Sequence, residues 1–185
     1  MRRFNAIGRY CRNEAGRICR ASWNARLCVP LVLLALFVQG CDEDDGAATG
    51  KLRAADFSLA LFDGGDFRLS DQKGHPVIVS FFASWCTVCG SEASGLEGVY
   101  QQYAPQEVVF VGVAIEDMED KARDYVKRNG LTFATGLDAE GTIKRAYGVF
   151  GLPITYFIDR EGLVNYVHAG VITEDLLKYE LEKIL

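Results

Sequence analysis

The 185-residue chain offers no apolar run long enough to cross a membrane as a helix. Its most apolar stretch, residues 27–38, holds twelve residues and is interrupted by Pro30, whereas a helical span needs about twenty. Beyond residue 41 it is poor in basic charge: residues 42–185 carry 13 Lys and Arg against 24 Asp and Glu, a net of −11, which argues against nucleic acid as a partner. Cysteine is scarce where a domain would need it. Of six in all, Cys11, Cys19 and Cys28 fall in the first forty residues and Cys41 follows them, leaving Cys86 and Cys89. Two cysteines cannot build a framework of stabilising disulfides or a four-cysteine zinc site. No internal repeat is visible, and residues 55–185 suffice for one domain with a single core.

What is present at the start is a leader. The first forty residues hold seven Arg against one acid, Glu14, followed by the short apolar segment, a pattern expected of a secretory signal. Val38-Gln39-Gly40-Cys41 resembles a bacterial lipobox, so residues 1–40 are expected to be a lipoprotein signal peptide and Cys41 the lipidated residue. An uncleaved N-terminal anchor and plain cleaved export are the alternatives. Residues 41–54, acidic and then rich in Gly and Ala without apolar periodicity, are expected to form a flexible tether to the domain at 55–185. Asp42 resembles a signal for retention at the inner membrane, which would place the domain on the periplasmic side in a two-membrane cell.

Within the domain, residues 56–61 and 67–69 read as a hairpin around the Asp63-Gly64-Gly65-Asp66 turn. Residues 77–82 are apolar except for Ser80, as in a central strand covered on both faces. A helix is expected over 86–103, a buried strand over 108–115, and a helix beginning at Asp117 and ending at Lys127-Arg128-Asn129-Gly130. A short helix near 141–147 leads to strands 154–158 and 163–168, and Thr173 caps a last amphipathic helix. The fold class is therefore α/β: a mixed central sheet with helices on both faces.

Cys86 and Cys89 stand directly after the central strand, where the chain turns into a helix. Unpaired N–H groups and the macrodipole at a helix N-terminus favour a thiolate, and residues three apart can close a small disulfide ring. A Cys-x-x-Cys pair by itself also suits zinc or an iron–sulfur cluster. Residues 79–89 (VSFFASWCTVC), residues 151–159 (GLPITYFID) and the hairpin narrow the choice. Together they resemble the TlpA/ResA-like branch of the thioredoxin superfamily, membrane-tethered thiol-disulfide oxidoreductases facing outside the cytoplasm. The resemblance covers about residues 55–185 and implies a thioredoxin-like fold with a central helical insert within 108–149. It also implies a cis peptide at Pro153 and an active-site carboxylate at Glu92, where thioredoxin's buried Asp is replaced by Ser80. Val88 stands where the family usually has proline.

On this reading Cys86 is the nucleophile, Cys89 resolves the mixed disulfide, and Glu92 accepts the proton that Cys89 must lose. Glu92 could equally be a solvated helix-surface residue, Trp85 either a wall of the site or half-buried core, and Pro153 either a substrate-facing cis proline or an ordinary turn. No metal or other cofactor is expected. The implied partners are protein disulfides, apocytochrome c among them, a membrane electron donor of the DsbD or CcdA kind, and the membrane itself through a lipid anchor. Reduction of substrates is the expected direction, with oxidation or isomerisation as the alternative. A copper-binding chaperone using Cys86, Cys89 and His168 or His75 is a further reading, and a peroxidase is disfavoured because the Pro and Thr pattern ahead of a peroxiredoxin cysteine is missing.

Overall fold

The computed structural model describes residues 50–185. The expected signal segment, Cys41 and most of the tether lie outside the described residues. Among those described, no helix is long and apolar enough to cross a membrane.

Two short strands, β1 (Ser58–Ala60) and β2 (Asp66–Arg68), pair antiparallel as the hairpin expected from the Gly-Gly turn. The main sheet has five strands: β3 (Val77–Phe82), β4 (Val109–Ile115), β5 (Ala134–Asp138), β6 (Ile154–Ile158) and β7 (Val164–Ala169), in the order β5-β4-β3-β6-β7. The first three run parallel to one another, while β6 and β7 are antiparallel to their neighbours. β3 is the middle strand and all six of its residues are buried, which is why its sequence shows no alternation.

Helices α1 (Cys89–Tyr103), α2 (Glu119–Asn129), α3 (Thr142–Ala146) and α4 (Glu174–Glu182) cover both faces. On one face Ile78, Phe110 and Phe157 pack against Leu96 and Val99 of α1 and Leu177 and Leu181 of α4, and Phe82 packs against Tyr125 of α2. On the other, Val79, Phe81 and Val113 meet Phe57 and Phe67 of the hairpin region and Ile143 of α3. The ends of α2 follow its sequence. Acids occupy its first turn and Lys127 and Arg128 its last, complementing the dipole. Gly130 at φ 63° returns its N–H to Val126 and Lys127. Thr173 caps α4 by accepting the Leu176 N–H at 3.3 Å.

The starts of two helices and the presence of one strand differ from the sequence reading. α1 begins at Cys89 rather than Cys86, because residues 83–88 form turns in which the Cys86 N–H goes to Ala83 O at 3.1 Å. α2 begins two residues beyond Asp117, whose carboxylate is used elsewhere. The strand β5 was not expected. Ala134-Thr135-Gly136 has little apolar signal, and the strand exists because it pairs with β4 on one side and receives the hairpin on the other through the Leu61–Gly136 bridge. A Cβ at Gly136 would run into Ala60 O and lie 2.8 Å from Leu59 Cγ, so only glycine permits that approach.

Candidate active site

The three parallel strands end on the same side of the sheet, and the chain leaves β3 there through Ala83-Ser84-Trp85 into Cys86. Cys86 and Cys89 are joined as a disulfide with Cα atoms 5.4 Å apart. Cys86 is 7% exposed and Cys89 1%. Both cysteines are thus buried in the oxidised form, Cys86 being slightly the more exposed of the two.

Glu92 lies one turn into α1 and is 3% exposed, so the solvated-surface alternative does not hold. Its Oε2 accepts the backbone N–H of Ile172 at 2.8 Å, from the segment between β7 and α4. Burial pushes its carboxyl up to about 7, and the Ile172 hydrogen bond opposes this only in part. Glu92 and Cys89 line one cavity with Ser80, Gly112 and Tyr125. At ≈ 10 Å³ it is marginal for a single water. Tyr125 shares the environment: burial, and secondarily the charge of Glu92, push its hydroxyl up to about 12.

Trp85 is 58% exposed and donates its indole N–H to Glu116 O at 2.8 Å. It is thus not core, and it stands beside the dithiol. The Leu152–Pro153 peptide is cis, and Pro153 O accepts the Gly170 N–H at 2.9 Å. Val88, Val171 and Phe150 add exposed apolar surface on the segments that carry the site, Phe150 being 98% exposed. The histidines are engaged apart from it. His168 on β7 contacts Tyr166 Oη at 3.3 Å and Val171 O at 3.2 Å, and His75 lies 4.0 Å from Glu107. Among the described residues no group of three or more His, Cys, Asp and Glu is arranged to hold a metal ion.

Sequence reasoning missed Ile172, whose contribution is a backbone N–H, and Asp117, whose carboxylate takes the Ser84 N–H at 2.5 Å and the Ser84 Oγ hydroxyl at 2.7 Å. In the sequence Asp117 reads as a helix-starting acid. Its partner is 33 residues away, beyond any local pattern. A buried carboxyl that titrates near neutrality beside a dithiol can take or return a proton during disulfide exchange.

Comparison with known proteins agrees with thiol-disulfide exchange. Residues 51–167 match the AhpC/TSA family. The chain is 31% identical over 164 residues to the thiol-disulfide oxidoreductase ResA of Geobacillus thermodenitrificans, covering 86% of this chain and 94% of ResA. It is 33% identical over 132 residues to the thioredoxin-like protein YneN of Bacillus subtilis, covering 70% and 77%. Among solved structures, a thiol:disulfide interchange protein of the thioredoxin family from Chlorobium tepidum superposes with a TM-score of 0.68 at 26% identity, over 75% of this chain and 99% of that one. The mycobacterial dsbF, solved in mixed oxidised and reduced forms, gives 0.65 at 31% identity over 70% and 95%. The disulfide at the end of β3, the cis proline facing the same end of the sheet and these matches lead to one conclusion: the chain belongs to the AhpC/TSA family, as a TlpA/ResA-like thiol-disulfide oxidoreductase.

Proposed function

We propose that the protein is an extracytoplasmic reductase of protein disulfides, lipid-anchored to the cytoplasmic membrane through Cys41. The observation that carries the chemistry is a Cys86–Cys89 disulfide whose less exposed member, Cys89, shares a cavity with the neutral-range carboxyl of Glu92. The Cys86 thiolate attacks one sulfur of a substrate disulfide, and the other sulfur leaves as a thiolate. Cys89 gives its proton to Glu92 and attacks Cys86 Sγ, which closes the protein's own disulfide and releases the second substrate thiol. Two electrons pass to the substrate. A membrane electron donor of the DsbD or CcdA kind would then restore the dithiol. Trp85, next to Cys86 in the chain, and the cis Pro153 would form the surface on which substrate docks, and apocytochrome c thiols before haem attachment are the substrate class that the ResA likeness favours.

The decisive experiment replaces Cys89 with Ala in the full-length chain, which stalls the mixed disulfide on Cys86, and identifies the adduct. Cytochromes or their assembly factors are the expected catch. A broad set of secreted proteins would instead mark a general oxidant or isomerase, the reading kept open by Val88 in the place of proline. A reduction potential clearly above the range of about −180 to −210 mV typical of oxidising compartments would also reject the reductive role. For the anchor, Cys41→Ser should move the protein from the membrane to the soluble fraction; retention in the membrane would favour an uncleaved N-terminal segment.

A further inference from the structure

Two consecutive residues between β4 and α2 grip the two residues immediately before the nucleophile. Asp117 holds Ser84 through both backbone N–H and side-chain hydroxyl, at 2.5 and 2.7 Å, and Glu116 O holds the Trp85 indole at 2.8 Å. Glu116 is in the left-handed region at φ 49°, which few non-glycine residues adopt and which persists only where surroundings enforce it. Its own side chain is ion-paired with Lys144. Hydrogen bonds to a carboxylate are shorter and stronger than neutral ones. Asp117 Oδ1 also accepts the Met118 N–H at 2.8 Å, at the entry to α2, so the residue has a local job as well as a distant one.

We propose that Asp117 is a positioning residue for the dithiol, which holds the Ser84–Trp85 turn in place when the disulfide opens and so keeps Cys86 poised over Cys89. While the two sulfurs are bonded, the ring itself holds the turn. Once reduced, the loop ahead of Cys86 is tied down by the two bonds from Ser84 to Asp117. The effective concentration of one thiol at the other depends on that constraint. The clamp therefore favours the closed disulfide, and a protein whose disulfide is more stable is a stronger reductant. The carboxylate's negative charge works in the same direction, since it disfavours a nearby thiolate in the reduced form. The inference rests on Cys86 being the attacking sulfur, as proposed above.

The test is the equilibrium of full-length Asp117→Asn with glutathione, in which protein dithiol and oxidised glutathione yield protein disulfide and two reduced glutathione molecules. Asn retains an oxygen for Met118 and Ser84 Oγ, but its amide cannot accept the Ser84 N–H. The expected result is a shift of about tenfold toward the dithiol, about 30 mV. Closure of the Cys86 mixed disulfide by Cys89 should slow about tenfold, while alkylation of Cys86 by iodoacetamide is not slowed. An equilibrium within twofold of the unsubstituted protein, or one moved toward the disulfide, overturns the proposal and assigns Asp117 to the start of α2 alone. Should that variant fail to fold, Ser84→Ala removes one bond from the other side and must move the equilibrium the same way by about threefold; no movement overturns the proposal equally. Failure of the unsubstituted protein to exchange at all would instead sink the reading of Cys86.

Discussion

Glu92 reaches out of α1 to accept the Ile172 N–H at 2.8 Å, tying the helix that carries Cys89 to the segment joining β7 and α4. Its carboxyl is buried in the cavity that Cys89 also lines. A glutamate in the first turn of a helix at the surface would be favoured by the dipole. Burial instead makes its charged form costly, and the consequence is a pH dependence of opposite sign to the usual carboxylate.

The folded-state value of about 7 lies above the ordinary 4.5. Between these values the native state holds a proton that the unfolded state has lost, so this group's contribution to stability falls as pH rises from about 4.5 to 7 and stays low above that. The full penalty is on the order of 3 kcal/mol. Glu92→Gln keeps an oxygen for Ile172 and removes the charge, so the oxidised variant should be more stable than the unsubstituted protein at pH 8 by up to about 3 kcal/mol. The gain should vanish by about pH 4. Urea melts at the two pH values check this, and a gain independent of pH would show that Glu92 is not the buried group that titrates.

Kinetics offer an independent reading of the same residue. If Glu92 takes the proton of Cys89, the rate of intramolecular resolution should carry an inflection near pH 7, and Glu92→Gln should lose it while slowing resolution by about 10²-fold. Stopped-flow decay of a preformed Cys86 mixed disulfide across pH 5–9 measures it. Retention of the inflection in the variant would assign the proton to another group.

Trp85 is mostly exposed, so its side chain does little for the core. Trp85→Ala should cost no more than about 1 kcal/mol, chiefly the hydrogen bond to Glu116. Exchange with a protein disulfide should nonetheless slow about tenfold, while exchange with a small aromatic disulfide barely changes, because only the larger substrate uses the indole as a docking surface. Equal losses with both substrates would mean that Trp85 acts on the dithiol itself.

Gly136→Ala tests the packing of the hairpin on β5. The added methyl meets Ala60 O and Leu59, an overpacking that should cost about 1–3 kcal/mol. Thermal unfolding should drop by several degrees while the dithiol remains active, since the clash lies on the hairpin side of the sheet. An unchanged midpoint would show that the hairpin shifts freely.

Much of the fold was legible in the sequence because its signals are local. The unbroken apolar runs at β3 and β4, the Gly-Gly turn between β1 and β2, the acid-first and base-last pattern of α2 and the Thr173 cap each act within a few residues. β5 was not legible, since nothing within Ala134–Asp138 favours a strand as strongly as its two neighbours in space do. At the site, the Cys-x-x-Cys spacing and Pro153 were readable, and the burial of Glu92 was not. The fate of a helical glutamate depends on what lies across from it, here a backbone N–H 80 residues further on.

Residue order alone thus settled where the reactive sulfurs stand and that they can close on each other, because a three-residue separation at the end of a strand is a matter of chain geometry. Three-dimensional packing decided how deeply the two sulfurs are buried, which carboxyl is forced toward neutrality, and which distant aspartate holds the turn ahead of them. Those properties arise from desolvation and from hydrogen bonds between segments far apart in the chain, and neither exists until the chain has folded.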